Sequence, residues 1–283
     1  MLAAGVGLVG AVAASPVCAQ PASAAPVPRV KGPAVWLDMD QAEHDAAYDH
    51  IKYAPNLPQI TGRYASNSVA VRARVGAPTR VAYGPTAIGS QRRPSGVPDF
   101  VWVQDADGNL MTMADQMRRA VAWVARNAAS FGGDPDRIHV SGHSSGAHMA
   151  GLVLTTDWRK DFGLPADTVK GGLCCSGLFD LKPVRVSARS SYVKFTDEIE
   201  QAMSSQRRLE LLNAPLILAS GTLETPEFQR QTRDFAAAVR AAGKPVQLLV
   251  GEGYNHFEII ETMANPYGLL GRAVLDQMKL TGG

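Results

Sequence analysis

The feature that most constrains this chain is Gly142-His143-Ser144-Ser145-Gly146, a G-x-S-x-G pentapeptide between a strand-like and a helix-like run. Arg137-Ile138-His139-Val140-Ser141 precedes it, and the apolar stretch from Ala147 to Leu154 follows. A serine at a sharp strand-to-helix turn projects its hydroxyl from the edge of a sheet, and small neighbours make that turn sterically possible. The first helical turn also offers unpaired backbone N–H groups that can stabilise a developing oxyanion. The segment therefore predicts Ser144 as a nucleophile and the Ser145 N–H as an oxyanion donor, the core of a serine hydrolase.

Strand and helix signals alternate around this turn. The run from Asp40 to Tyr48 is helix-compatible, and a second helix is expected up to about Val75. Arg80 to Tyr83 reads as a strand, and residues 85–99, rich in Gly, Ser and Pro, read as loop. Met117, Val121, Val124 and Ala128 recur at helical spacing, which predicts an amphipathic helix over Met113–Ala129. Strands are expected at 169–175, 215–219 and 246–250, and a closing helix at 267–280. A helix over 226–242 has Thr225 as N-cap, Pro226 at its first position and Gly243 past its end. Such alternation predicts an α/β fold with a mostly parallel sheet and helices on both faces. Residues 177–213 interrupt the rhythm and are expected to form a cap.

The 283 residues suit one large α/β domain, here 37–283, and 46% hydrophobic content is enough for a sizeable core. A net charge of +2 without Lys/Arg clusters excludes a nucleic-acid partner. Residues 1–20 are apolar and end in Val17-Cys18-Ala19-Gln20, like an export signal, with a Pro/Ala/Ser-rich linker over 21–36. The stretch is too short for a stable membrane span, although no Lys or Arg precedes Arg29. The mature chain is expected to be exported, periplasmic or secreted, and to be cytoplasmic if this incomplete signal is not used. Cys174 and Cys175 are neighbours on a strand and are read as packed apolar residues. No Cys/His spacing or H-E-x-x-H run indicates a metal, and no cofactor is expected.

A serine hydroxyl needs a base, and the base needs an orienting carboxylate. Of the six histidines, His44 and His50 read as surface residues, His139 as a core or sheet-face residue, and His143 and His148 as packing or pocket-wall groups. His256 lies in Gly253-Tyr254-Asn255-His256-Phe257, a loop directly after the last strand, where parallel sheets place catalytic groups. It is taken as the base. Glu224 and Glu227 both follow the preceding strand. Glu227 falls in the first turn of a helix, where the helix dipole alone accounts for an acid, so Glu224 is preferred. The order Ser144, Glu224, His256 is nucleophile, acid, base.

From Leu37 onward the chain resembles the α/β-hydrolase superfamily, in its esterase and kynurenine-formamidase-like (arylformamidase) branch. Phe131-Gly132-Gly133-Asp134-Pro135-Asp136-Arg137-Ile138, running into Gly142–His148, carries the resemblance. Tyr53-Ala54-Pro55-Asn56, Gly177-Leu178-Phe179-Asp180-Leu181 and Gly253–Phe257 extend it. The resemblance implies an α/β-hydrolase fold and small-molecule substrates, carboxylic esters or N-formyl aryl amides, cleaved without a cofactor. One part departs. The H-G-G loop that supplies further oxyanion donors is missing, and with it the adjoining strand and helix of the usual core. The alternative expectation is therefore a catalytically impaired hydrolase-fold protein that binds a ligand or partner.

Overall fold

The computed structural model describes residues 29–75, 79–82, 88–92, 95–98 and 101–280. The export signal over 1–20 and residues 21–28 of the linker lie outside the described residues. Chain order begins with β1 (Ala34–Trp36) and β2 (Met39–Asp40), an antiparallel pair. Helix α1 (Gln41–Ala46) starts on a capping box, in which Asp40 accepts from the Glu43 N–H and Glu43 accepts from the Asp40 N–H. Helices α2 (His50–Tyr53) and α3 (Leu57–Val75) follow.

Next come β3 (Thr79–Ala82), β4 (Ile88–Arg92) and β5 (Ser95–Pro98), an antiparallel three-stranded sheet. Two of these strands lie where the sequence predicts a loop over 85–99. Gly and Pro signals mark turns well, but strand formation here rests on pairing, Thr79 with Gln91 and Gly89 with Pro98. Residues 83–87, 93–94 and 99–100, within and beside the segment that stands in place of the H-G-G loop, lie outside the described residues.

Helix α4 (Leu110–Asn127) is capped by Asn109. It leads through β6 (His139–His143), α5 (Ser145–Leu154), α6 (Trp158–Phe162) and β7 (Gly171–Cys175). The segment 177–213 holds two short helices, α7 (Leu181–Arg185) and α8 (Asp197–Ala202), with one 3-10 turn between them and two after α8. Then come β8 (Leu216–Gly221), α9 (Pro226–Ala241), β9 (Val246–Gly251) and α10 (Leu269–Gln277).

The order β6-β7-β8-β9 is parallel throughout, the mostly parallel sheet that the alternation predicts. Side chains alternate across it as the pleat requires. Cys174, Leu216 and Leu218 pack with residues of α4, α5 and α9 such as Val121, Val153 and Phe235. Leu173, Cys175, Ile217 and Ala219 pack on the opposite face with Leu270 and Ala273 of α10. Burial of a side chain like Leu218 contributes about 1.5–3 kcal/mol. Both cysteines are free and buried, as expected for packed apolar residues.

The two inner strands are buried along their whole length, while β6 and β9 are not. Among the described residues nothing pairs with the outer side of β6, consistent with a core short of one strand. A third apolar cluster joins Tyr48, Met149 and Phe228 to Leu181, Val184 and Ile199 of the 177–213 segment.

Candidate active site

Ser144 sits between the last residue of β6 and the first of α5, with φ 57° and ψ −122°, a conformation that L-residues rarely adopt. Such strain persists only where its surroundings enforce it. Here the Ser144 N–H donates to Cys175 O at 3.0 Å, and its carbonyl accepts from Ala147 and His148. The close approach of strand end and helix start explains Gly142: a Cβ there would lie 2.0 Å from Gly146 O. The Ser144 side chain makes no capping bond. In the first turn of α5, the Ser145 N–H has no hydrogen-bond partner among the described residues.

Glu224 and His256, the expected acid and base, lie at the exits of β8 and β9. Glu224 Oε2 accepts from His256 Nδ1 at 2.8 Å, and Oε1 accepts from Ser176 Oγ at 2.6 Å and from the Gly221 N–H at 2.7 Å. Because a carboxylate only accepts, His256 carries its proton on Nδ1 and leaves the Nε2 lone pair free. Gly221 is required for this meeting, since a Cβ there would lie 2.1 Å from Tyr254 O of the histidine loop. Glu227 is engaged elsewhere. Its two oxygens bind Arg230 at 2.8 and 2.7 Å, and it accepts from Tyr48 OH at 3.3 Å.

Burial pushes Glu224 above the ordinary carboxylate range, opposed by the Gly221 and Ser176 donors. Burial also holds His256 well below the ordinary histidine range, aided by the positive charge of Arg189. His256 therefore rests as a neutral imidazole at neutral pH.

Sequence reasoning missed what surrounds the imidazole. His50 stacks on His256 with ring centres 3.8 Å apart, and Phe228 and Phe257 meet it edge-on at 5.1 and 5.0 Å. His50 is thus a wall of the site, not a surface residue. Its pKa falls to about 3, chiefly by burial. His44 is likewise fully buried, with Nε2 donating to Pro183 O at 2.8 Å. The Asp/Glu/Ala pattern of this region reads as solvent-facing, but α1 and α2 pack against chain more than 130 residues away, which local pattern does not register.

His143 and His148, expected as packing or pocket-wall groups, are both engaged with backbone carbonyls. His143 Nε2 donates to the His256 carbonyl at 2.7 Å, and burial lowers its pKa to about 4. His148 is buried and donates to Met203 O at 2.8 Å. Through His143 the turn at Ser144 is joined directly to the His256 loop, although no hydrogen bond links Ser144 Oγ to His256 among the described residues. That bond is commonly loose before substrate arrives.

Three further residues position the loop and the acid. Asn255 Nδ2 donates to Asn56 Oδ1 at 2.8 Å, and Asn56 Nδ2 donates to Glu258 Oε1, which ties the Tyr53-Ala54-Pro55-Asn56 run to the histidine loop. Ser176, with φ 55°, follows β7 and aims its hydroxyl at Glu224. No sequence pattern marks it. A cleft of about 520 Å³ along α4 contains none of these residues. No cluster that could hold a metal, and no helix long and apolar enough to cross a membrane, occurs among the described residues.

The model of the carboxylesterase family matches residues 100–206. Kynurenine formamidase of Danio rerio is 30% identical over 173 residues, covering 59% of this chain and 57% of that protein. The esterase LipQ of Mycobacterium tuberculosis is 31% identical over 148 residues, covering 45% of this chain and 34% of that protein. The chain thus spans about half the length, or less, of these curated relatives. Among solved structures, a Silicibacter protein provisionally described as a thioesterase superposes with TM-score 0.62 at 18% identity, over 80% of this chain and 96% of its own. An acetyl ester-xyloside hydrolase from Caldicellulosiruptor lactoaceticus gives 0.52 at 17% identity, over 66% and 72%. These structural likenesses speak for the fold.

Proposed function

Since the chain belongs to the α/β-hydrolase superfamily, in its esterase and kynurenine-formamidase-like branch, we propose that it is a serine hydrolase acting through Ser144, His256 and Glu224 on small carboxylic esters or N-formyl aryl amides. The observation that carries the reading is the buried Glu224–His256 pair at 2.8 Å beside a serine held at positive φ.

In this mechanism Ser144 Oγ attacks the carbonyl carbon while His256 Nε2 takes its proton. Glu224 holds the Nδ1–H tautomer and offsets the charge of the imidazolium. The oxyanion accepts from the Ser145 N–H. The imidazolium then protonates the leaving alkoxide or aryl amine, and an acyl or formyl ester of Ser144 remains. Water, deprotonated by His256, hydrolyses that ester. An oxyanion site reduced from two donors to one lowers kcat by about 10²–10³.

The test is intact mass after exposure to a fluorophosphonate probe, parent against Ser144→Ala. One adduct on the parent and none on the variant is the expected result. A folded parent that takes up no probe overturns the enzyme reading. It would favour a ligand-binding hydrolase fold, a reading motivated by the unpartnered outer edge of β6 among the described residues. Formyl-kynurenine and short-chain aryl esters, compared on kcat/KM, then decide between formamide and ester.

A further inference from the structure

Arg189 lies on a 3-10 turn, Ala188–Ser191, in the segment between β7 and β8. Its guanidinium carbon stands 5.6 Å from the centre of the Tyr48 ring and 6.0 Å from that of Phe228. Phe228 in turn touches His50 edge-on at 4.5 Å and His256 at 5.1 Å. The cation therefore belongs to the aromatic wall that encloses the imidazole. Its hydrogen bonding is incomplete. Nη1 donates to the Tyr192 hydroxyl at 2.9 Å, and Nε is buried with no acceptor.

Its neighbours in the same part of the fold differ. Arg185 pairs with Asp197 and Glu200, Arg207 with Asp180 and Glu200, and Arg230 with Glu227 and Asp234. Among the described residues no carboxylate pairs with Arg189. A half-buried guanidinium without a counter-ion is costly, and its planar fork of donors matches a two-oxygen anion.

We propose that Arg189 is a specificity-determining residue that selects substrates bearing a carboxylate, seated against the Tyr48–Phe228 side of the site. The inference rests on the hydrolase reading of Ser144 and His256. It also has a mechanistic consequence. The charge of Arg189 makes both His50 and His256 harder to protonate. His256 must accept the serine proton during attack, so an uncompensated cation beside it opposes the step. A substrate carboxylate neutralises that cation as it binds, and the preference then appears in kcat as well as in KM.

The experiment compares kcat/KM for two matched pairs, with the carboxylate on the acyl side or on the leaving-group side. The first is mono-para-nitrophenyl glutarate against para-nitrophenyl valerate, and the second is para-acetoxybenzoate against para-acetoxybenzamide. The parent should favour the carboxylate member of at least one pair by about tenfold or more. Arg189→Met should abolish that ratio, whatever happens to the common rate, and Arg189→Lys should keep part of it. A ratio near one in both pairs, or one that Arg189→Met leaves intact, overturns the proposal.

If the parent hydrolyses no substrate at all, the hydrolase reading fails separately. Arg189 is then judged by calorimetric titration with para-hydroxybenzoate and para-hydroxybenzamide. Binding of the carboxylate alone, lost in Arg189→Met, supports the anion site. Equal binding of the two, or none, overturns it.

Discussion

Glu224 and His256 are almost wholly buried at the exits of β8 and β9, and both oxygens of the carboxylate have donors. Ser144 and Ser145, by contrast, stand half-exposed and exposed at the end of β6, whose outer edge has no partner among the described residues. The two halves of the proposed triad differ in what holds them. The acid and base borrow rigidity from strand β8, which is paired on both sides, and from loops locked by Gly221, Ser176 and the Asn56–Asn255 bond. The nucleophile relies on a local device, the strained turn that Gly142 permits. A fold can thus lose pairing beside its nucleophile strand while its acid–base pair stays assembled, because the pair depends on different strands.

The sharpest way to break that contrast is Glu224→Gln. The amide still accepts from Ser176 and Gly221 through its oxygen, so the melting temperature should move little. Its NH₂ group faces His256 Nδ1, favours the wrong tautomer and cannot offset the imidazolium. A fall in kcat of about 10³–10⁴ is expected, by analogy with the loss seen when a serine-protease triad carboxylate becomes an amide. If stability collapses along with activity, the acid is a structural strut and the pair is not independently assembled.

Acid pH probes the same burial with a smaller effect. His50, His143, His148 and His256 all have folded-state pKa values below the ordinary 6.5. Between pH 6.5 and those depressed values the unfolded chain binds protons that the folded one refuses, so stability is full above 6.5 and falls as pH drops. The slope is about 1.4 kcal/mol per pH unit for each such proton. Glu224 works the other way, because its raised folded pKa lets the native state take up a proton first. Four depressed histidines stand against this one raised carboxylate. Thermal melts from pH 8 to pH 4 should therefore show a steady acid loss, and the acid limb of kcat/KM should lie below pH 6.5. A limb at or above 6.5 would mean that water reaches His256 and that the acid–base half is as open as the nucleophile half.

Only some parts of the molecule were legible in the sequence. The turn at Ser144 was, because glycines, strand and helix are contiguous there and the steric demand is local. Helix α9 was, since Thr225, Pro226 and Gly243 mark both of its ends. The preference for Glu224 over Glu227 rests on its position before the helix; in the structure Glu224 meets His256 and Glu227 meets Arg230. The second layer was not legible. His50 reaches His256 across 206 positions of chain, and Arg189 reaches Tyr48 across 141. No period of 2 or 3.6 carries such contacts. Strands β4 and β5 escaped because Gly, Ser and Pro signalled turns, while the pairing that makes them strands involves residues up to a dozen apart.

The smallest expected effect concerns Ser176, the residue that ties the β7 exit to the acid. Ser176→Ala removes one of the two donors to Glu224 Oε1 and leaves the Gly221 N–H in place. Alanine tolerates φ 55° no worse than serine, so backbone strain is unchanged. The expected cost is about 1 kcal/mol of stability, the usual value for one hydrogen bond. The more telling readout is pH. The Ser176 hydroxyl favours the charged carboxylate, so without it Glu224 holds its proton to higher pH and the acid limb of kcat/KM shifts upward. Ser176→Cys, with a weaker donor, should fall between alanine and the parent. An acid limb unmoved in both variants would show that Gly221 and His256 alone fix the carboxylate. The acid–base half would then rest on β8 and β9 without help from β7.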